Sequence, residues 1–148
     1  MTQNSAPRPS LGRALGETAH RIKKLHDRAL ADQHTDFPTW MLFTLLSEQG
    51  PVLPLAVVVA ELDQRMDLPR PQVISLLERI APTGDIVFDT AAATVELTAA
   101  GAAHFKQMYT HARQLTDAAL ADIDPDLAEA AITMLLRAGE RASALLDA

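Results

Sequence analysis

The chain has no cysteine, few aromatic residues and no long apolar run. The absence of cysteine excludes disulfides, thiolate metal sites and thiol nucleophiles, and it fits a reducing compartment. Aromatic residues make up 4% of the 148 residues, so the core must rest on leucine, valine, isoleucine and alanine. The longest apolar run, residues 52–60, is far shorter than the ~20 residues that span a bilayer. Residues 1–9 are polar, without the apolar segment of a signal peptide, so we expect a cytoplasmic protein and no membrane partner.

The net charge of −6 is unevenly distributed along the chain. Residues 1–30 carry six basic and two acidic side chains, whereas residues 31–148 carry seven basic and seventeen acidic ones. An acidic body weakly disfavours non-specific binding of nucleic acid, although it leaves room for a local basic face. The basic cluster between Arg21 and Arg28 favours a solvated or intersubunit salt-bridged helix face over a DNA contact.

Motifs of enzyme chemistry are missing. The sequence has no glycine-rich phosphate loop, no nucleophile elbow and no clustered catalytic pair. The five histidines lack the i,i+4 spacing of a zinc-binding helix, and surface or pH-titrating histidines are the better interpretation. We therefore expect no enzymatic activity, no metal site and no cofactor.

Hydrophobic periodicity and breaker residues predict six helices and two short strands in the order α-α-α-α-β-β-α-α. Thr39, Thr98 and Asp124 are expected to cap the second, fifth and sixth helices. The predicted helices lie near residues 10–29, 39–50, 54–66, 71–80, 98–119 and 126–146, and the predicted strands are 86–88 and 94–97.

This order is typical of a winged helix-turn-helix, a mainly α fold with a small β-hairpin. We expect residues 1–9 to form a flexible tail and residues 10–148 to form a single winged-helix subunit. Within it, about 37–98 would be a module of the DNA-binding type, and about 10–36 and 99–148 would be dimerisation helices. The apolar stripes of the long terminal helices have few partners within one subunit, which indicates a homodimer.

Four segments in this order resemble the MarR family of dimeric winged-helix transcriptional regulators, over roughly Leu11 to Leu146. They match the entry and the end of the recognition helix, the motif Leu-Thr-x-x-Gly that closes the wing, and the final helix. The segments are Asp67-Leu68-Pro69-Arg70-Pro71-Gln72-Val73, Leu76-Leu77-Glu78-Arg79-Ile80, Leu97-Thr98-Ala99-Ala100-Gly101, and Asp124-Pro125-Asp126-Leu127 running into Leu135-Leu136.

The resemblance implies that two recognition helices of a homodimer bind a pseudo-palindromic site on double-stranded DNA. Carried over by position, it places Arg70, Gln72, Ile74 and Ser75 towards the major groove and Arg79 nearer the DNA backbone. Arginine can bind guanine through two hydrogen bonds, glutamine can bind adenine, and isoleucine can contact a thymine methyl group.

Four aromatic residues have two interpretations. The family resemblance implies that Trp40, Phe43, Phe105 and Tyr109 line a pocket for a small aromatic effector. Taken alone, the same residues favour plain core packing between the second and fifth helices. The two interpretations are compatible, because effector pockets in such dimers lie where the helical and winged parts meet.

The expected wing has no basic residue, whereas wings of the resembled family carry arginines near the tip. Neutralisation of phosphate by basic side chains supplies much of the affinity of a protein for DNA. Residues 67–98, however, hold only two basic side chains and five acidic ones. Two functions therefore remain open. One is a MarR-like homodimeric DNA-binding regulator controlled by a small molecule. The other is a winged-helix dimer without DNA binding that acts as a ligand-binding or protein-interaction module.

Overall fold

The computed structural model describes residues 8–148, which contain six α-helices and a three-stranded sheet. The predicted tail of residues 1–9 falls mainly on residues 1–7, which lie outside the described residues. A short 3₁₀ turn, Ala81–Thr83, follows the fourth helix. The elements are α1 (Leu11–Asp32), α2 (Phe37–Gln49), β1 (Val52–Pro54), α3 (Leu55–Met66), α4 (Arg70–Ile80), β2 (Ile86–Asp89), β3 (Thr94–Leu97), α5 (Ala99–Leu120) and α6 (Pro125–Leu146).

The chain divides into two compact units, and the boundary falls within α5. The first unit ends at Thr116 and contains α1 to α4, the sheet and most of α5. The second unit, Asp117–Ala148, holds the end of α5 and all of α6. The predicted module of residues 37–98 lies inside the first unit.

Helix α2 forms the centre of the core in the first unit. Its sequence is apolar on nearly every side, and Leu42, Phe43, Leu45 and Leu46 are fully or almost fully buried. A helix that is apolar all round must be covered on several faces, and side chains from α3, α4, α5 and the sheet belong to the same buried cluster. Truncating a fully buried phenylalanine such as Phe43 to alanine would cost about 3–5 kcal/mol.

The start of α2 differs from the prediction. The cap is Asp36, not Thr39, and the helix begins at Phe37, two residues before the predicted start at residue 39. The Asp36 carboxylate accepts hydrogen bonds from the Thr39 backbone N–H (3.0 Å) and hydroxyl (2.6 Å). The expectation that Thr39 caps the helix was wrong because the aspartate three residues earlier supplies the acceptor, and Thr39 becomes a donor.

A third strand, β1, was not predicted. Its three residues pair antiparallel with β3, where Leu53 lies opposite Val95, and order the sheet β1-β3-β2. Pro54 can end this strand because β1 is at the sheet edge. The apolar run that was assigned to a helix thus divides into an edge strand and the start of α3.

The hairpin of β2 and β3 agrees with the predicted strands. The register places Ile86 opposite Leu97 and Asp89 opposite Thr94. Alternate residues face the core, so Val95 and Leu97 are buried while Glu96 between them is exposed. The buried side chains of this alternating pattern pack the hairpin against the helices. The hairpin depends on this packing, because an isolated two-stranded hairpin is only marginally stable.

The long terminal helices expose much of their apolar surface. In α1, Leu11 and Leu15 are exposed, and burial is reached only at Ala29 and Leu30. In α6 no residue is buried, although the helix carries large apolar side chains along its length. Those that are exposed are Leu127, Ile132, Met134, Leu135, Leu136, Leu145 and Leu146. Across the described residues, no helix combines the length and hydropathy needed to cross a membrane.

Candidate functional site

Helix α4 presents one apolar and one polar face. Val73, Leu77 and Ile80 are buried, whereas Arg70 and Gln72 are exposed at its N-terminal end. The chain enters α4 through Asp67, which has a left-handed backbone (φ 52°), and through Pro69, which precedes the first helical residue. The turn ends α3 and starts α4, so the fold directs the polar start of α4 towards solvent.

The other three residues of α4 that were predicted to contact DNA differ in their exposure and in their partners. Ser75 is exposed, and its hydroxyl donates to the backbone carbonyl of Pro71 (3.1 Å) within the helix. Ile74 is half-buried against the core, so only part of this side chain faces solvent. Arg79 lies in the last turn, on the side of α4 that faces the start of α2.

Arg79 is engaged by the cap of α2. Its guanidinium nitrogen Nη2 donates to Asp36 Oδ2 at 2.8 Å and lies 3.4 Å from the Thr39 hydroxyl. Burial opposes ionisation of Asp36, but hydrogen bonds from Thr39 and the charge of Arg79 outweigh it and hold the pKa of this carboxyl below its usual value of 3.8. Asp36 is therefore ionised at neutral pH and serves two helices at once.

The tip of the wing is a compact turn. The Asp89 carboxylate accepts hydrogen bonds from the backbone N–H groups of Ala91 (2.9 Å) and Ala92 (2.8 Å). Ala93 then takes a left-handed conformation (φ 51°), which returns the chain into β3. Between β2 and β3 the sequence has no basic residue. The single charge of this turn is used within the turn itself.

The motif Leu97–Gly101 fastens the wing to α5. The Thr98 hydroxyl donates to the Gly84 carbonyl (2.7 Å) and accepts from the Gly101 N–H (3.0 Å), so Thr98 acts as the predicted helix cap. His104, one turn further along α5, lies with Nδ1 2.8 Å from the Asp85 carboxylate. Backbone and side-chain contacts therefore both connect α5 to the residues that start the hairpin.

An open cavity of about 480 Å³ lies between α2 and α5, and its walls are mainly apolar. Trp40 and Tyr109 are parallel with ring centroids 5.9 Å apart, and Phe105 packs on Trp40 at 5.3 Å. The lining residues are Trp40, Thr44, Ser47, Glu48, Ala102, Phe105, Lys106 and Tyr109. The volume is in the range of small-molecule sites in proteins.

Three of the four predicted aromatic residues therefore border one cavity, and the fourth does not. Phe43 is completely buried and packs edge-on to Phe105 at 6.4 Å, behind the cavity wall. The prediction missed the polar residues of the lining. Helical spacing contained the signal, because residues 40, 44, 47 and 48 share one face of α2, and 102, 105, 106 and 109 share one face of α5.

The charged groups of the cavity are not equivalent. Glu48 pairs with Arg65 of α3 at 3.1 Å, and Arg65 also binds Glu61 at 3.0 Å. Lys106 is exposed, and within residues 8–148 no carboxylate forms an ion pair with it. The cation of the cavity is therefore available to a ligand, while the anion is compensated.

His26 of α1 packs against the same tryptophan. The His26 and Trp40 ring centroids are 4.8 Å apart, nearly perpendicular, and Phe37 lies 5.9 Å from His26. His26 Nδ1 is buried without a hydrogen-bond partner among the described residues. Burial lowers the pKa of His26 below 6.5; Asp27 opposes this shift and Lys23 adds to it. The imidazole is thus neutral in the folded protein near pH 7.

Comparison with known proteins finds relatives by structure. No family model and no curated protein matches the sequence. A MarR-family protein from Mycobacterium tuberculosis in complex with DNA has a TM-score of 0.71 and 18% identity, covering 89% of this chain and 99% of that chain. NadR in complex with 4-hydroxyphenylacetate has a TM-score of 0.72 and 18% identity, covering 92% and 99%. CouR from Rhodococcus jostii bound to p-coumaroyl-CoA has a TM-score of 0.69 and 15% identity, covering 85% and 88%.

These alignments cover 85–92% of this chain. The mainly helical architecture with a small antiparallel sheet, predicted from the order of the segments, is confirmed. The resemblance seen in the sequence is confirmed at the level of the fold: this chain has the winged helix-turn-helix fold of the MarR family.

Proposed function

We propose that the protein is a homodimeric DNA-binding transcriptional regulator. The observation that carries the proposal is the polar start of α4, where Arg70 and Gln72 are exposed to solvent. The fold is shared with a protein that was crystallised in complex with DNA. Their side chains can bind guanine and adenine edges in the major groove through paired hydrogen bonds. The proposal is non-enzymatic, and it places the protein in the cytoplasm because its target is DNA.

A second copy of the chain is part of the proposal. Leu11 and Leu15 of α1 are exposed in the single chain, and so are the seven large apolar side chains of α6. Large apolar side chains that are exposed along one helix normally mark an interface. A two-fold dimer would present two α4 helices, and a separation of about 34 Å would match successive major grooves.

Control by a small molecule is the third part of the proposal. The cavity beside Trp40, Phe105 and Tyr109 offers flat aromatic walls and one available cation, Lys106. These features suit a planar aromatic ligand that carries an anionic group. Occupancy would change DNA affinity if the ligand binds one spacing of the two winged modules better than the other.

One observation favours a second candidate function. The wing has no cation, its Asp89 is used within the turn, and residues 67–98 carry three more acidic than basic groups. A winged-helix dimer of this kind could act as a ligand-binding or protein-interaction module without binding DNA.

Selection of bound duplexes from a random pool tests the primary proposal, because the target sequence is open. We expect an enriched inverted repeat. Replacement Arg70→Gln should weaken its binding by about 1–3 kcal/mol and relax one position of the repeat. The matched control Lys24→Gln removes an exposed cation of α1 and should leave the enriched sequence unchanged. Absence of any binding at about 50 mM salt, where electrostatic attraction is strong, would favour the second candidate.

A further inference from the structure

The ion pair between Asp36 and Arg79 joins the cap of α2 to the recognition helix. The two residues are 43 positions apart, and Arg79 Nη2 lies 2.8 Å from Asp36 Oδ2. The two carboxylate oxygens have separate tasks, because Oδ1 accepts both hydrogen bonds from Thr39. The cap of α2 therefore does not require the pair with Arg79.

Arg79 also lies on the face proposed to meet DNA. It borders the same shallow groove as Gln72 and Ser75, a space of about 280 Å³ that Pro38 of α2 closes on one side. Residues 72, 75 and 79 are spaced by three and four, so they share one side of α4. An arginine in this position would be well placed to bind a phosphate of the duplex.

Charge is scarce on this face. Arg70 and Arg79 are the basic residues of the span 67–98. No carboxylate within residues 8–148 forms an ion pair with Arg70, whereas Asp36 compensates Arg79. Of the two cations that could neutralise DNA phosphate, Arg79 is thus already paired with a carboxylate of the protein.

We propose that Asp36 is an autoinhibitory residue, which holds Arg79 away from DNA and lowers the affinity of the winged module for the duplex. This inference rests on the proposed DNA-binding function. The pair is suited to reversible inhibition, since its side chains are 54% and 46% exposed and solvent screens their attraction. A phosphate can replace the carboxylate as the acceptor, because both anions fit the planar guanidinium.

The release of Arg79 should have a measurable effect on the salt dependence of DNA binding. Each phosphate contact contributes roughly −0.9 to the slope of log binding constant against log salt concentration. One added contact per subunit therefore makes the slope steeper by about 0.9 for each subunit bound. Over a fourfold range of salt, one such contact corresponds to a roughly three- to fourfold change in affinity.

The substitution Asp36→Asn tests the proposal, because asparagine caps helices about as well as aspartate but leaves Arg79 unpaired. The matched control Glu78→Gln removes one exposed carboxylate from α4 itself. Binding would be measured by fluorescence anisotropy, on a labelled duplex of about 30 base pairs that can hold two half-sites, at several salt concentrations. Thermal unfolding verifies that each variant folds, and Asp36→Ser, another good cap, replaces Asp36→Asn if that variant does not.

We expect Asp36→Asn to bind more tightly than the wild type and with a steeper salt slope, and Glu78→Gln to leave the slope unchanged. Arg79→Gln should have little effect in the wild type and should abolish the gain in the Asp36→Asn background. The inference is overturned if Asp36→Asn gains no more than Glu78→Gln, or if Arg79→Gln alone weakens the wild type as much as Arg70→Gln does. Those results would leave the proposed function intact, whereas failure of every variant to bind would remove both.

Discussion

Gly101 in the first turn of α5 lies directly against the backbone carbonyl of Asp85. A Cβ atom at residue 101 would overlap that carbonyl oxygen and would lie 2.8 Å from Leu97 Cδ1. Since the backbone cannot yield as a flexible side chain does, glycine is the residue that permits α5 to approach the start of the hairpin this closely. The close approach also brings Asp85 within reach of His104.

The substitution Gly101→Ala should therefore destabilise the protein by about 1–3 kcal/mol, the usual cost of overpacking. Chemical denaturation monitored by circular dichroism would measure the loss. Gly139→Ala is the matched control, because nothing lies within 4 Å of its added methyl group in α6. That control should be neutral or stabilising by up to about 1 kcal/mol from helix propensity. Equal effects of the two substitutions would contradict the packing explanation.

Ala93→Gly should stabilise the wing. Ala93 has φ 51°, a left-handed conformation that costs an alanine about 1–2 kcal/mol and costs glycine little. Because glycine loses more backbone entropy on folding, we expect a net gain of about 0.5–1 kcal/mol in the free energy of unfolding. Ala92→Gly, one residue earlier and without a positive φ, should instead be neutral or destabilising. A loss of stability in Ala93→Gly would rule out strain at this turn.

The stability of the protein should depend on pH through His26. Burial lowers the pKa of this histidine below 6.5, so the unfolded chain binds the proton more readily than the folded one. The contribution to stability is therefore complete above pH 6.5, the ordinary value, and is lost as the pH falls below it. Unfolding between pH 7.5 and 5, followed by the emission of Trp40, which is the single tryptophan of the chain, would show this loss.

His26→Gln should reduce the decline in stability over that interval, while His20→Gln, an exposed histidine of the same helix, should preserve it. A decline of the same size in all three proteins would assign the pH dependence to other groups.

Ligand binding in the cavity should depend on Lys106. Titration with benzoate, a planar aromatic anion, is expected to change the fluorescence of Trp40, which lines the cavity. Lys106→Gln should weaken binding by about 0.5–1 kcal/mol, the size of an exposed charge interaction, and Lys24→Gln should leave it unchanged. An anion that binds equally well to Lys106→Gln would exclude Lys106 as its counter-charge.

The proposed dimer should depend on one side of α6. Leu135→Glu would bury an unpaired carboxylate in the interface at a cost of about 3 kcal/mol or more, which is a hundredfold or greater loss of dimer affinity. Leu136→Glu is the matched control, because residue 136 lies about 100° further round the helix than Leu135, outside the side formed by Leu127, Met134, Leu135 and Leu145. Sedimentation velocity would separate monomer from dimer. If both variants remain dimeric, or if both dissociate, the proposed interface on the Leu135 side of α6 is wrong.

Local signals made most of the fold predictable. The entry to α4, the strands of the hairpin and the cap at Thr98 each depend on residues a few positions apart, so the sequence alone contains the information. Strand β1 was missed because three residues ending in Pro54 are stabilised by pairing with β3, which lies 42 residues away at the Leu53–Val95 pair. The cap at Asp36 was missed because Thr39 is itself a good capping residue, and only the structure shows which of the two accepts.

The candidate site was predictable in kind and less so in detail. The four aromatic residues lie near one another in the structure, as their helical spacing on facing sides of α2 and α5 allows. That Phe43 lies behind the wall while Lys106 borders the cavity depends on how the two helices are rotated about their axes. The ion pair of Asp36 with Arg79 spans 43 residues, and no local pattern connects these two positions.

Helix α2 is a rigid rod of about 20 Å at 1.5 Å per residue, and each of its ends is attached to a different helix. Its first turn binds Arg79 of α4 through Asp36, and its last turn binds Arg65 of α3 through Glu48. Trp40 lines the cavity from the turn next to Asp36, whose backbone carbonyl accepts a hydrogen bond from the Trp40 backbone N–H at 3.0 Å. A molecule that binds against the indole would therefore act on α2 within one turn of the residue that pairs with Arg79 of α4.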